Sequence, residues 1–259
     1  MQAEFVGVGE ACDENLPNTS VLVRTQGEPA RNILLDCGFT AAPRLFASLP
    51  DPDALDAIWI SHFHGDHTFG LPLVLLRMWE MGRRRNLILV GQEGLGDRMR
   101  RIVELAYPGL EAKLGFQLEV RELDSGQSEQ LLGLTWTAAQ TLHSRRNLAL
   151  RLEDASASLY YSGDGPPSAE SEDMARYCGL LIQEAFTTGE ERIPGHATVQ
   201  ECLDLARRTA AYSLALVHLQ RDERKRHGED LKQWLDGFED ISAFLPEPGE
   251  IHTVEQGSS

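Results

Sequence analysis

Three histidines and one aspartate lie within six positions of this chain, in the pattern His-x-His-x-Asp-His. The four residues are His62, His64, Asp66 and His67. Two histidines separated by one residue on a turning loop can direct both imidazoles at one ion, while the adjacent aspartate and third histidine can hold a second ion nearby. Imidazole and carboxylate donors without a thiolate suit zinc, manganese or iron at a catalytic site better than a structural zinc site. The cluster therefore predicts a catalytic metal centre, in which two ions about 3.5–4 Å apart can share a hydroxide.

A strand and a helix are predicted on either side of this cluster. The apolar run Ala57–Ile60 is typical of a short buried strand. From Leu71 to Met81 apolar residues recur at helical spacing, with Pro72 near the start and Gly82 after the end. The cluster therefore occupies a loop at a strand end, where α/β proteins commonly place their sites.

This loop resembles the signature of the metallo-β-lactamase-fold hydrolases, a family that needs three further ligands downstream. His143, Asp164 and His218 each follow a short predicted strand, in the order that the resemblance requires. The resemblance implies two divalent ions, with zinc favoured over manganese or iron, and a metal-bridging hydroxide as nucleophile, which Asp66 can help to hold. The implied ligands are His62, His64 and His143 for the first ion, Asp66, His67 and His218 for the second, and Asp164 as the bridge.

Two more residues resemble the ribonuclease Z branch of this family. That branch has a His-Glu-Ala-Thr run after a strand; here Gln183 replaces the histidine and Phe186 replaces the threonine, while Glu184 is kept. Further on, Gly195-His196-Ala197-Thr198 is similar to the branch's His-Ser-Thr. In the branch this histidine gives a proton to the leaving group and is paired with the glutamate. The resemblance thus implies catalytic roles for His196 and Glu184, against the alternative that His196 is a solvent-exposed loop residue.

Asp36 is the last residue of the predicted strand Asn32–Asp36 and precedes Cys37-Gly38. The family has an aspartate at this position that orients a ligand histidine, and the resemblance implies that role for Asp36. The alternative is a helix N-cap or a turn-forming residue.

The order of predicted elements begins with strands, continues as strand-helix alternation and then starts a second, similar set. The pattern by itself indicates an α/β or α+β protein. The resemblance implies a four-layer αββα sandwich of two mixed β-sheets flanked by helices. With no linker-like segment among 259 residues, we expect a single metallo-β-lactamase-like domain over residues 1–259.

The composition favours a cytoplasmic protein with no membrane contact. No apolar run approaches a membrane span, and the first residues lack the features of a signal peptide. The four cysteines show no close pairing pattern, so we expect free thiols in a reducing compartment, with Cys178 and Cys202 buried. Of the basic runs, Arg83–Arg85 is interpreted as ordinary solvated surface.

The net charge of the chain and the short stretch between His143 and Asp164 determine the predicted substrate. The formal net charge is −16, from 24 basic and 40 acidic residues, and such a surface repels a nucleic acid backbone. Members of the branch that process transfer RNA carry a long Gly/Pro-rich arm, for which the stretch from Ser144 to Gly163 leaves no room. We therefore expect a phosphodiesterase that acts on a small phosphodiester, with nucleic acid unlikely as a partner and a homodimer implied by the resemblance.

Other functions remain open at this point. A lactonase or other ester hydrolase could use the same site, and a glyoxalase-type thioesterase is less favoured. A tRNA 3′ endonuclease is a further alternative. A non-catalytic metal-binding sensor is the alternative outside the enzymes.

Overall fold

Fourteen strands form two sheets of seven in the computed structural model, which describes residues 1–189 and 191–256. The strands of the first sheet are β1 (Gln2–Gly7), β2 (Ser20–Arg24), β3 (Asn32–Leu35), β4 (Ala57–Ile60), β5 (Leu87–Gly91), β6 (Leu118–Glu122) and β14 (Ile251–Thr253). The strands of the second sheet are β7 (Ser128–Leu131), β8 (Leu134–Gln140), β9 (Leu148–Glu153), β10 (Ser158–Tyr161), β11 (Leu180–Glu184), β12 (Ser213–Val217) and β13 (Ser242–Phe244).

Each sheet is half antiparallel and half parallel. The first sheet has the order β14-β1-β2-β3-β4-β5-β6, and its parallel part runs from β3 to β6. The second has the order β13-β12-β11-β10-β9-β8-β7, with a parallel part from β10 to β13. Because the carboxyl ends of parallel strands share one sheet edge, the loops after them are brought together there.

Helices cover the outer face of each sheet. They are α1 (Ala41–Ser48), α2 (Gly65–Thr68), α3 (Leu71–Glu80), α4 (Leu95–Ala106), α5 (Ala169–Ala175), α6 (Val199–Thr209) and α7 (Arg221–Asp236), with a short 3₁₀ turn at Glu111–Lys113. Apolar residues of α1, α3 and α4 pack against the first sheet, and those of α5, α6 and α7 pack against the second. A third apolar cluster fills the space between the sheets. The predicted αββα sandwich is therefore confirmed.

Two details of the chain differ from the sequence-based prediction. The run 131–139, expected to be one strand, is a hairpin of β7 and β8. Leu132 and Gly133 make its turn, both with positive φ (57° and 81°), which is the backbone geometry of a tight two-residue hairpin. The short β13 and the one-turn α2 were not predicted, because elements this short have too few residues to show a periodicity.

Two further predictions from the sequence, a capping box and two buried cysteines, are confirmed. Thr198 and Glu201 form the expected capping box at the start of α6. The described part of the chain contains no helix with the length and apolar character to cross a bilayer. Its four cysteines are unpaired, and Cys178 and Cys202 are both buried.

Trp59 on β4 and Trp136 on β8 meet in the layer between the two sheets. Both are fully buried, and their ring centroids lie 6.5 Å apart. The Trp136 indole nitrogen also donates to the carbonyl oxygen of Leu131 at 3.0 Å. This pair therefore links the two halves of the sandwich.

Trp136→Ala is expected to lower the free energy of unfolding by about 3–5 kcal/mol, because the change removes a large buried ring and leaves a cavity. Trp79→Ala is the matched control, since Trp79 on α3 is 41% exposed. The control should change stability by no more than about 0.5 kcal/mol. Urea unfolding measures both, as a shift of the midpoint with an unchanged slope. Equal losses for the two variants would contradict this description of the core.

Candidate metal centre

The His-x-His-x-Asp-His loop leaves β4 and turns immediately into α2. It is held by the loop after β3, since the Cys37 amide donates to the carbonyl oxygen of His67 and the Gly70 amide donates to that of Cys37, both at 2.9 Å. The approach is close: a Cβ on Gly38 would overlap the carbonyl oxygen of Asp66. Glycine is required there because any side chain would push the metal-binding loop away from the sheet.

Seven side chains from both sheets converge beside this loop. Potential ligand atoms of His62, His64, His143 and Asp164 lie within 4.8 Å of one another, and those of Asp66, His67 and His218 form a second such group. All seven residues were predicted as ligands from the sequence. The structure brings them together at the carboxyl ends of β4, β10 and β12 and just beyond β8.

Asp164 divides its two carboxylate oxygens between the two groups. Its Oδ2 lies 3.7 Å from His62 Nε2 and 3.8 Å from His143 Nε2. Its Oδ1 lies 3.3 Å from His67 Nε2 and 3.6 Å from His218 Nε2. One oxygen facing each group is the arrangement that a bridging carboxylate needs.

The donor atoms fit divalent cations. His62 Nε2 lies 2.9 Å from His64 Nδ1, which lies 3.3 Å from His143 Nε2, so three basic nitrogens face one another. His67 Nε2 and Asp164 Oδ1 are buried, and within the described residues neither has a hydrogen-bond partner. Buried polar atoms without partners are costly, and a cation between them would satisfy both groups. Imidazole and carboxylate oxygen are suitable ligands for such an ion.

Burial and neighbouring charges shift the pKa values of the residues in the cluster. Burial lowers the pKa of His62 well below its usual value, and the nearby His67 adds to this effect. Burial also disfavours the charged form of His218, but Asp164 and Asp66 raise the pKa of that imidazole to about 9. Burial alone would raise the pKa of Asp164, yet His218 and His67 hold it well below its usual range. The carboxylate is therefore ionised at neutral pH, as a metal ligand must be.

Asp36 holds His67 in position from behind. Its Oδ2 accepts hydrogen bonds from His67 Nδ1, Ser61 Oγ and Tyr161 Oη, each at 2.7 Å, and its Oδ1 accepts from the Ser61 amide at 2.8 Å. Burial and the adjacent Asp36 raise the pKa of Tyr161 well above its usual value, so this phenol remains a donor. With Nδ1 bound to Asp36, His67 presents Nε2 to the cluster. This is the orienting contact that the resemblance implied.

Asp36→Asn is expected to weaken metal binding roughly 10- to 100-fold, because an amide cannot accept all these bonds and no longer fixes the tautomer of His67. Asp56→Asn is the matched control, since Asp56 is a buried carboxylate that binds Arg31 and Arg85 away from the cluster. Competition with a chromogenic chelator measures the affinity of each folded variant. Similar losses in both would attribute the effect to general destabilisation instead.

His196 and Glu184 form a pair at the mouth of the cluster. Glu184, at the end of β11, is fully buried. Its Oε1 is hydrogen-bonded to His196 Nδ1, and its Oε2 accepts from the Ala197 amide at 3.0 Å. The His196 ring stacks on Phe186 with centroids 4.4 Å apart, and a His196 ring nitrogen lies within 4.8 Å of ligand atoms of Asp164 and His218. His196 is therefore fixed beside the cluster and is not a freely exposed loop residue.

A cleft beside His64 contains functional candidates that the sequence reasoning missed. It has a volume of 370 Å³ and is lined by Phe63, His64, Gln92, Arg98, Arg145 and Arg146. The available signal was the Arg145–Arg146 pair, which follows the ligand His143 after one residue. Arg98 lies on α4, far away in sequence, and offered no comparable signal.

Comparison with known proteins agrees with this geometry. A family model described as a beta-lactamase superfamily domain matches residues 31–219. Ribonuclease Z of Sulfolobus acidocaldarius is 26% identical over 285 residues, covering 94% of this chain and 95% of the relative. Ribonuclease Z of Methanothermobacter thermautotrophicus is 25% identical, covering 85% of this chain and 86% of the relative. The crystal structure of the short form of human tRNase Z shares the fold, with a TM-score of 0.79 and 21% identity over 98% of this chain and 99% of that one.

These matches contradict one prediction from the sequence. A small-molecule substrate was expected and nucleic acid was considered unlikely, but relatives that match nearly the whole chain are named ribonuclease Z. The stretch from Ser144 to Gly163 is indeed short and carries only β9 and β10 between its loops. The inference from net charge was wrong because net charge sums the whole surface, whereas a polyanion meets the charges beside the site. Three arginines are concentrated there.

Proposed function

This chain belongs to the β-lactamase superfamily, and we propose that it is a ribonuclease Z-like enzyme. It uses two metal ions to hydrolyse a phosphodiester bond in RNA, near the 3′ end of a precursor tRNA. Its assignment as a metal-dependent hydrolase of the metallo-β-lactamase fold follows from the family and the related ribonucleases. The bond, the substrate and the roles of individual residues are the proposed part.

One observation supports the proposal above the others. Asp164, the carboxylate that faces both ligand groups, lies near His196. Nδ1 of His196 is hydrogen-bonded to the buried Glu184. A two-metal centre stabilises an in-line displacement at phosphorus. A carboxylate-supported imidazole supplies the proton that an alkoxide or ribose leaving group needs. A phosphodiester with a poor leaving group is the substrate that requires both.

The proposed metal ligands are the seven residues already described. Divalent ions held there would lower the pKa of water and offset the negative charge that develops on the phosphate. Asp66 Oδ2 lies 3.2 Å from His67 Nε2 and 3.3 Å from His218 Nε2. Asp66 is placed to accept a hydrogen bond from the attacking water and so to orient it toward phosphorus.

His196 is proposed as the general acid. Glu184 accepts from Nδ1, so the opposite ring nitrogen, Nε2, is the one that carries the proton to the departing oxygen. The buried carboxylate also fixes the tautomer and the orientation of the imidazole, as the aspartate of a catalytic triad does. Phe186 restricts the imidazole from its face. His196 therefore requires no reorientation before it donates.

The direct test uses a precursor tRNA transcript with a 3′ trailer and metal-loaded protein. We expect one endonucleolytic cut that releases the trailer, resolved on a sequencing gel. Asp164→Ala should leave the transcript intact, whereas His227→Ala, which changes an exposed histidine on α7, should cut normally. A wild-type protein that hydrolyses bis-nitrophenyl phosphate but leaves the transcript uncut would exclude this function.

The proposal includes four further features. Zinc is the proposed metal because the donors are imidazole and carboxylate. The cytoplasm is proposed because the cysteines are unpaired, and a homodimer follows only from the resemblance. A single domain over residues 1–259 is supported by the apolar cluster shared by both sheets, although residues 257–259 lie outside the described part.

A further inference from the structure

The cleft beside His64 has an unusual charge for so acidic a protein. The chain has a net charge of −16, yet three of the six residues that line this cleft are arginines. His64 is at once a wall of the cleft and a member of the first ligand group. The cleft therefore opens directly onto the proposed reaction centre.

Two of these arginines have no carboxylate partner among the described residues. Arg146 forms an ion pair with Asp124. Within residues 1–189 and 191–256, by contrast, Arg98 and Arg145 lie at ion-pair distance from no carboxylate, and both are exposed. Exposed arginines on this surface commonly have a carboxylate neighbour, as Arg208 has in Glu172 at 2.9 Å. Two unpaired guanidinium groups in one cleft are suited to an anion from outside.

The cleft is also connected rigidly to the metal loop. The Gln92 amide nitrogen donates to the carbonyl oxygen of Ser61 at 3.2 Å and to that of Arg146 at 2.9 Å. The Arg98 guanidinium lies over the Phe63 ring, 4.6 Å from its centroid, a cation–π contact that limits its freedom. An anion in the cleft would therefore have a defined position relative to the metal cluster.

The surface on the opposite side of the site is acidic. A cavity of 430 Å³ next to Phe186 is lined by Glu191, Asp222 and Glu223, with Arg226 as its only cation among the described lining residues. A polyanion is repelled on that side and attracted on the side of Arg98 and Arg145.

We propose that Arg98 and Arg145 form a subsite for a backbone phosphate next to the scissile phosphodiester, which makes the enzyme selective for a strand over an isolated diester. This inference rests on the proposed function. Arginine suits the role because its planar fork binds two phosphate oxygens at once. The subsite contributes binding and register, and the chemistry stays with the metal ligands and His196.

The test measures inhibition of bis-nitrophenyl phosphate hydrolysis by an RNA oligonucleotide that spans the cut, with metal-loaded protein. Neutral methylphosphonate linkages replace single phosphates on either side of the scissile one. Arg98→Ala and Arg145→Ala should each raise the inhibition constant roughly 10- to 100-fold, the size expected for a lost hydrogen bond to a charged group. Arg208→Ala, which removes an arginine outside the cleft, should leave it unchanged.

At one position, the methylphosphonate should weaken inhibition of the wild type by the same factor as the arginine substitution does. In the Arg98→Ala variant the same methylphosphonate should cause little further loss, since both changes remove the same contact. If the losses of inhibition from the methylphosphonate and from the arginine substitution multiplied at every position, the subsite would be overturned. It would also be overturned if Arg98→Ala and Arg145→Ala left the inhibition constant unchanged, as Arg208→Ala should. Absence of inhibition in the wild type would overturn the subsite and the RNA substrate together. A precursor transcript that stays uncut, together with an oligonucleotide that inhibits in the expected pattern, would support the subsite and exclude the proposed function.

Discussion

Asp164→Ala is expected to reduce bound metal from about two ions per chain to fewer than one, and to abolish hydrolysis of every substrate. The reason is that this side chain faces both ligand groups, with Oδ1 toward His67 and His218 and Oδ2 toward His62. Its loss would remove a donor from both proposed ion sites and a negative charge from between them. We propose that no other single ligand has this double effect.

The comparison with His64→Ala makes the test specific. His64 belongs to the first group alone, so this variant should retain an ion at Asp66, His67 and His218 while it loses the other. Elemental analysis after dialysis against a weak chelator counts the ions, and His227→Ala serves as the control for histidine loss. If Asp164→Ala and His64→Ala retained equal amounts of metal, Asp164 would not be the bridge. If the wild-type protein took up no metal on reconstitution, the proposal of a metal centre would be contradicted.

The loop from His62 to His67 could be predicted as a site because it follows a short apolar run, whereas His143, Asp164 and His218 were identified through the resemblance to the family. Runs such as Ala57–Ile60 and Leu214–Val217 are fully buried, and such runs are recognisable from composition. A residue after a strand of a parallel sheet lies at the same edge as its counterparts. Local sequence therefore located the loop, and the resemblance supplied the other three ligands.

Side chains whose role depends on distant residues could not be predicted. Arg83 was interpreted as solvated surface, and this was wrong, since it is only 1% exposed. Its guanidinium donates to the carbonyl oxygens of Leu55 and Asn86 at 2.7 and 2.8 Å and lies over the Phe116 ring. Burial of this charge is tolerated because both terminal nitrogens are hydrogen-bonded, although Nε has no partner among the described residues. The carbonyls that satisfy Arg83 are brought to it by folding, so the sequence around it contains no sign of them.

The partner prediction failed for the same physical reason. A sum over the chain treats Arg98 and Arg145 as two charges among many, while folding places them in one cleft beside His64. Electrostatic attraction decreases over about 8–10 Å in physiological salt. Local clustering therefore determines what binds at the site, and it depends on the tertiary structure.

His196→Ala is expected to slow hydrolysis of an RNA phosphodiester roughly 10²- to 10⁴-fold, the range typical of a general acid. The same change should affect bis-nitrophenyl phosphate far less. Nitrophenolate is a stable anion that departs without a proton, whereas a ribose oxygen needs one. The position of His196, with Nδ1 on the buried Glu184 and the ring on Phe186, is what assigns it this role. The measurement is kcat/KM on both substrates.

Two further variants separate proton donation from other roles of His196. Glu184→Gln should show the same selectivity for the RNA substrate more weakly, because the glutamate only orients the imidazole. His64→Ala should depress both substrates together, since the loss of a metal ligand affects the attacking water itself. Equal losses on both substrates for His196→Ala would assign this histidine to metal binding or folding. Unchanged rates on both would mean that His196, despite its contact with Glu184, takes no part in the reaction.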